Sequence, residues 1–164
     1  MSYTYAHPSI SDATSIYHLA QRTPQLDRYP EYFYLLWCRD FKKTSLVAKK
    51  SEHIAGFIIG YLRPDDPQTL LLWQQAMSKE IINKGIGIKL LYNLTKQCSR
   101  KGTRFIEATI DPSNKGAERT LRGISKLFNT QLSKEDIFDE NLFSTDHHKE
   151  ILIRVGPLIE GNLP

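Results

Sequence analysis

The chain has 164 residues, 40% of them hydrophobic and 24% charged, a balance that fits one folded domain over residues 1–164 and argues against disorder. Its formal net charge of +4 is spread over short clusters such as Lys42-Lys43, Lys49-Lys50 and Arg100-Lys101, a solvated surface rather than a basic stripe, so no nucleic-acid partner is expected. The longest uninterrupted apolar or glycine run, Ile54 to Leu62, is about half the length of a bilayer crossing, which sets aside a membrane protein.

In chain order, Tyr3 to His7 alternates as a short strand. Ser11-Asp12 then offers a cap to a helix running to about Gln21, with Ile16, Leu19 and Ala20 on one face. Thr23-Pro24 ends it. A second helix, Glu31 to Asp40, follows Pro30 and is dense in aromatics. Two strands, Ser45 to Lys49 and Ile54 to Arg63, flank the polar turn Lys50-Ser51-Glu52-His53 as a hairpin. The turn Arg63-Pro64-Asp65-Asp66-Pro67 leads to a third strand, Thr69 to Met77.

Next comes a polar loop carrying Lys84-Gly85-Ile86-Gly87, opening a helix from Gly87 to Lys101 that Gly102 closes as a C-cap. Arg104 to Ile110 is a strand, and Asp111-Pro112-Ser113-Asn114 caps a helix from Lys115 to about Phe128. Ile151 to Val155 is the last strand, stopped by Gly156-Pro157. This β-α-α-β-β-β-α-β-α-β order implies an α/β (α+β) domain with a mixed sheet, antiparallel early and parallel around the helix after the glycine loop. The N-terminus MSYTYAHPSISD lacks a basic segment followed by an apolar one. Cys38 and Cys98 stand far apart without CxxC spacing, so a cytoplasmic protein with reduced thiols is expected.

The glycine loop is the feature that carries chemistry. A helix N-terminus preceded by glycines presents unpaired amides and a favourable dipole to an anion. Directly after a strand, that arrangement suits a phosphate-bearing cofactor whose reactive end lies along the strand. The glycines alone would equally serve as an eased turn.

The sequence resembles the GNAT acetyltransferases, and within them the L-2,4-diaminobutyrate acetyltransferases of ectoine biosynthesis, over nearly its full length. The resemblance rests on Leu26-Asp27, Tyr32-Phe33-Tyr34-Leu35-Leu36-x-Cys38, Ile54-Ala55-Gly56-Phe57, Gly60-Tyr61, Trp73-Gln74-x-Ala76 and Gly85-Ile86-Gly87. It continues through Glu107-Ala108-Thr109-Ile110-x-Pro112-Ser113-Asn114 and His147-x-x-Glu150-x-Leu152 to Gly156-Pro157. Ile82 and Asn83 stand where the family has Arg or Gln and then Gly, and Tyr29-Pro30 stands where it usually has Asn-Ser. The resemblance implies a GNAT fold, with a mixed, mostly antiparallel central sheet flanked by helices. It also implies acetyl-CoA as co-substrate, acetylation of the distal amine of a small diamino acid, and a homodimer.

Acetyl transfer needs a neutral amine, a polarised carbonyl and a stabilised leaving thiolate. Presenting an ammonium of pKa about 10.4 as a neutral amine near pH 7.4 costs about 4 kcal/mol, so a carboxylate or a water it positions should take the proton. By resemblance Asp27 and Glu150 fill that role or recognise the ammonium. A carboxylate near the α-ammonium would also keep that nitrogen protonated and unreactive. Tyr32 and Trp73 match positions that wall the amine site, and His147 is expected to bind there by orienting the substrate carboxylate or a neighbouring acid. The cofactor is expected against Gln75, Ala76 and Met77, whose main chain polarises the carbonyl, and against Lys84, Gly85, Ile86, Gly87 and Ile88 through main-chain amides. Asn114 is either a plain helix cap or a contact to the pantetheine arm.

Leu121 stands where many GNAT members carry a tyrosine suited to protonating the thiolate. Glu107 and Thr109 share one strand face, where Glu107 is either part of a water relay or buried with a hydrogen bond. Asp146-His147-His148 with Glu150 lacks further ligands at a recognisable spacing, so no metal is expected. Two other readings fit the same residues: acetylation of a different diamino acid or a polyamine, and a module that binds acetyl-CoA without turnover.

Overall fold

The computed structural model describes residues 2–159. One seven-stranded sheet runs through them in the order β1-β2-β3-β4-β5-β7-β6. Its strands are β1 (Thr4–Ala6), β2 (Leu46–Lys50), β3 (His53–Arg63), β4 (Asp66–Met77), β5 (Phe105–Ile110), β6 (Leu132–Phe138) and β7 (Glu150–Val155). Only the β4–β5 pairing is parallel, as expected from the helix that joins them; the other neighbours are antiparallel. The helices are α1 (Ala13–Gln21), α2 (Glu31–Asp40), α3 (Ile86–Ser99) and α4 (Lys115–Leu127).

Strand alternation sorts the apolar residues into two cores, one on each sheet face. Leu46, Ala48 and Ile58 join Leu90, Leu91 and Leu94 of α3 and Leu121 and Ile124 of α4. Their strand neighbours Val47, Phe57 and Ile59 turn the other way, to Ile16 and Ala20 of α1 and to Tyr34 and Trp37 of α2. No helix among the described residues is long and apolar enough to cross a membrane.

Two expectations need correction. Asp66 and Pro67 belong to β4 rather than to the turn before it, because Arg63 already pairs with Asp66 across a tight hairpin. The strand β6 is absent from the expected order. Its sequence LSKEDIF is exposed along almost its whole length at the sheet edge, so it carries none of the apolar alternation by which a strand is recognised. Helix ends shift by a residue or two: α3 starts at Ile86 and ends at Ser99.

Candidate active site

The site begins with a bulge in β4. Gly60 pairs with Leu72 but Ile59 pairs with Gln74, leaving Trp73 as an extra residue. A Cβ on Gly60 would sit 2.6 Å from the Leu71 carbonyl oxygen, so the close strand approach at the bulge demands glycine. An extra residue reverses which side chains face which core. Before it, Leu70 and Leu72 pack toward α3 and α4. After it, Ala76 packs toward α1 and α2 and Gln74 bonds to Tyr34 of α2, while Gln75 reaches α3, donating from Nε2 to the Gly87 carbonyl at 3.0 Å.

The parallel pairing of β4 with β5 runs only from Thr69–Phe105 to Leu72–Ala108. Beyond it both strands continue unpaired with each other, and a wedge opens. Ser78 N–H donates to the Ala55 carbonyl at 2.7 Å. Alternation therefore turns the Met77 amide away from β3, into the wedge. Of the two amides singled out at Ala76 and Met77, that of Met77 is the one turned into the wedge.

Two cavities share the wedge. The larger, of ≈ 1090 Å³, is lined by Gln75, Ala76 and Met77, by Asn83, Gly85, Gly87 and Ile88, by Ser113 and Asn114, and by Lys115, Gly116, Ala117, Arg119 and Thr120 of α4. Gly85 is the N-cap of α3 at φ 75°, ψ 4°, and the first helical bond runs from Lys89 N–H to the Gly85 carbonyl. The amides of residues 86–88 therefore have no acceptor within the helix. Asn114 caps α4, its Oδ1 accepting from Ala117 N–H at 3.1 Å, and its side chain also lines both cavities. Cap and cavity contact coexist.

The second cavity, of ≈ 520 Å³, is walled by Tyr29, Trp73, Gln74, Thr109, Leu121 and Phe143, and carries the acids Asp27, Asp111, Asp146 and Glu150. His147 and His148 are its only basic side chains among the described residues; neither Lys nor Arg lines it. His147 stacks on Phe143 with ring centres 4.0 Å apart. Its Nδ1 lies 2.6 Å from the His148 carbonyl. A carbonyl only accepts, so Nδ1 carries the hydrogen and Nε2 faces Glu150 Oε1 at 3.9 Å. Burial raises the Glu150 pKa above the usual carboxylate value; Asp111 and Asp27 push it the same way and His147 opposes them. Asp111 is held low by hydrogen bonds from the Ser113 hydroxyl and amide.

Of the residues singled out in the sequence, Asp27, Trp73, His147 and Glu150 meet at one cavity, and Gln75, Ala76, Met77, Gly85, Gly87, Ile88 and Asn114 at the other. Three do not follow the expectation. Tyr32 is 66% exposed on the first turn of α2 and lies outside the cavity lining, where Tyr29 stands instead. Lys84 is also outside it, and its amide is spent on the Ile81 carbonyl at 3.1 Å, which closes the preceding turn. The Ile86 side chain is buried in the α3 core, leaving only its amide at the helix end. Glu107 is 2% exposed and paired with Arg154 and Arg63, which settles it as a buried ion-pair member.

A strand wedge, a ring of free amides at a helix start and a carboxylate cluster across the sheet together define an acyl-transfer architecture. The chain belongs to the acetyltransferase (GNAT) family, which matches residues 13–123. It is similar to the L-2,4-diaminobutyric acid acetyltransferase of Nocardia farcinica, 35% identical with 93% of this chain and 79% of the relative covered. It is also similar to that of Streptomyces coelicolor, at 36% with 94% and 92% covered. Among solved structures it resembles diaminobutyrate acetyltransferase EctA from Paenibacillus lautus, in complex with its substrate L-2,4-diaminobutyric acid and coenzyme A. That match has a TM-score of 0.90 and 30% identity, and covers 97% of each chain. The ribosomal-protein-S18-alanine N-acetyltransferase of Escherichia coli, at 16% identity and a TM-score of 0.75, shares the fold.

Proposed function

We propose that this chain is an acetyl-CoA-dependent N-acetyltransferase acting on the distal amine of L-2,4-diaminobutyrate to give N4-acetyl-L-2,4-diaminobutyrate, a step of ectoine formation. The observation that carries the reading is the sorting of charge along one cleft. The free amides of α3, with Lys115 and Arg119, lie at one end, Asp27, Asp146 and Glu150 lie at the other, and Asp111 stands between them on both cavities. A polyanionic carrier and a cationic amine are the ligands such a cleft takes.

The residues present suit acetyl-CoA, which supplies an acetyl group as a thioester. The amides of residues 86–88 hold its diphosphate. Asn114, with Oδ1 committed to the cap, keeps its Nδ2 hydrogens for the pantetheine arm. The Met77 amide donates to the carbonyl oxygen that gains negative charge during transfer.

At the other end, Glu150 takes a proton from the reacting ammonium, a task suited by its raised pKa. His147 orients Glu150 and the substrate. Asp27 pairs with the second ammonium and keeps it protonated, while Trp73 and Tyr29 enclose the short methylene chain. Leu121 is apolar and faces the cavity, so no side chain at that position protonates the thiolate, and the enzyme releases it as such. The family resemblance adds a cytoplasmic homodimer to this reading.

Thiol release from acetyl-CoA over a panel of diamino acids and polyamines tests it, with NMR of the product to locate the acetyl group. Fastest turnover on L-2,4-diaminobutyrate, acetylated on N4, is expected. Equal or faster turnover on amines lacking a carboxylate would overturn the substrate. Binding of acetyl-CoA with no turnover across the panel would overturn the enzyme.

A further inference from the structure

Lys115 and Arg119 are the two cations of the larger cavity, and the reading above assigns neither to a particular phosphate. On α4 and β6 the neighbouring cations converge on one acid. Arg122 Nη2 lies 3.0 Å from Glu118 Oε1 and Lys115 Nζ 3.8 Å from Glu118 Oε2, and Lys134 pairs with Glu118 as well. Arg119 follows Glu118 directly and so points about 100° further round the helix. It is exposed, lines the cavity that Gly85, Gly87 and Ile88 also line, and has no acidic partner among the described residues.

The amides at the start of α3 form one compact anion site, sized for a diphosphate. Coenzyme A carries a third phosphate, a monoester on the 3′-oxygen of its ribose, which that site cannot also hold. A doubly charged phosphate is matched best by the flat fork of a guanidinium free of competing carboxylates. Lys115 meets this less well, since it is shared with Glu118.

We infer that Arg119 is the receptor for the 3′-phosphate of coenzyme A, on the α4 side of the cleft and apart from the amide site. The inference rests on the acetyl-CoA reading of the cavity and adds a second, separable anion contact to it. The first half of α4 then has two functions: Asn114 faces the arm near the chemistry, and Arg119 faces the nucleotide end. Glu118 holds Arg122 and Lys134, which do not line the cavity, and competes for Lys115, which does.

Titration calorimetry with coenzyme A and 3′-dephospho-coenzyme A tests this without reference to the amine. The native protein should bind coenzyme A about tenfold more tightly than the dephospho form, as one charge-assisted contact implies. Arg119→Ala should weaken coenzyme A alone and bring the two within about twofold, and Arg119→Lys should restore part of the gap. Arg122→Ala, which removes a cation held by Glu118, should leave the gap in place. Equal weakening of both ligands in Arg119→Ala, an unchanged gap, or a native protein indifferent to the phosphate would each overturn the inference while leaving the cofactor reading intact. Absence of binding by either ligand to the native protein would overturn both.

Discussion

Gln74 donates from Nε2 to the main-chain carbonyl of Asp27 across 2.9 Å, so an amide buried in the bulge of β4 fixes the loop that carries a carboxylate of the amine cavity. The orientation of the amide is set from its other end. Burial, aided by Tyr29, pushes the Tyr34 hydroxyl up to about 12. It is therefore a neutral donor at working pH, and it gives its hydrogen to Gln74 Oε1 at 2.9 Å. Substituting Gln74→Leu removes both bonds and strands a buried hydroxyl, at a cost of about 1–3 kcal/mol in urea unfolding. KM for the amine should rise about tenfold, as for one lost positioning contact, with binding of coenzyme A unaltered. Tyr34→Phe added to Gln74→Leu should cost little more, because the stranded hydroxyl is then gone.

The pH behaviour of Glu150 follows from the direction of its shift. Its pKa is raised, mainly by burial, so the acid limb of kcat/KM should lie above the value of about 4.3 for an unperturbed glutamate. Glu150→Gln should abolish most turnover, and Asp27→Asn should lower it, with binding of coenzyme A changed less in both. Stability should move the opposite way. A carboxyl that binds its proton more tightly when folded contributes stability below its unfolded pKa and loses it as pH rises through the folded pKa. Glu150→Gln should therefore melt higher than the native protein at about pH 8, with the difference shrinking by about pH 4. A variant that melts lower at the higher pH would contradict the proposed environment of Glu150.

Much of this was legible in the chain because apolar alternation has a period the sheet must obey. The β2–β3 hairpin, β4, α3 and β5 were read within two or three residues. The edge strand β6 was not, since a strand paired on one side and solvated on both faces needs no apolar pattern. The bulge was equally hidden: Trp73 and Gln74 read as ordinary alternating strand, and only the register against Ile59 and Gly60 reveals the extra residue. Gln74 belongs to a recognisable motif, yet its role depends on Tyr34 and Asp27, both distant in sequence. Tyr29, a departure from the family pattern, stands in the aromatic wall of the cavity beside Trp73. Asp111 and Asp146 entered the cavity only when β5, β7 and the segment before β7 came together in space.

On the face of β5 toward α1 and α2, Glu107 sits between Arg63 Nη1 at 3.4 Å and the Arg154 guanidinium, which itself lies over the Phe105 ring at 3.8 Å. Removing Arg154 leaves the buried Glu107 carboxylate with only the more distant, more exposed Arg63 to offset its desolvation. Arg154→Met should destabilise the fold by about 3 kcal/mol in denaturant unfolding. The double variant Glu107→Leu with Arg154→Met removes the stranded charge and should recover most of that loss. A double variant no more stable than Arg154→Met would show that packing over Phe105, not the ion pair, is what the arginine contributes.

Gly85 offers the sharpest separation of backbone from side chain. It holds φ at 75°, and a Cβ added there would meet nothing within 4 Å. Any effect of Gly85→Ala therefore comes from the left-handed backbone alone, about 1–2 kcal/mol of strain. The helix start can relieve that strain only by turning the amides of residues 86–88, so coenzyme A should bind several-fold more weakly while KM for the amine stays put. Gly87→Ala acts through a neighbour instead, because its Cβ would lie 3.0 Å from Gln75 Nε2, the atom that bonds the Gly87 carbonyl. Calorimetry on the two variants, with Gln75→Ala beside them, separates the routes. Gly85→Ala should weaken coenzyme A whether or not Gln75 is present. The effect of Gly87→Ala should largely vanish once Gln75 is truncated, since the clash then has no partner.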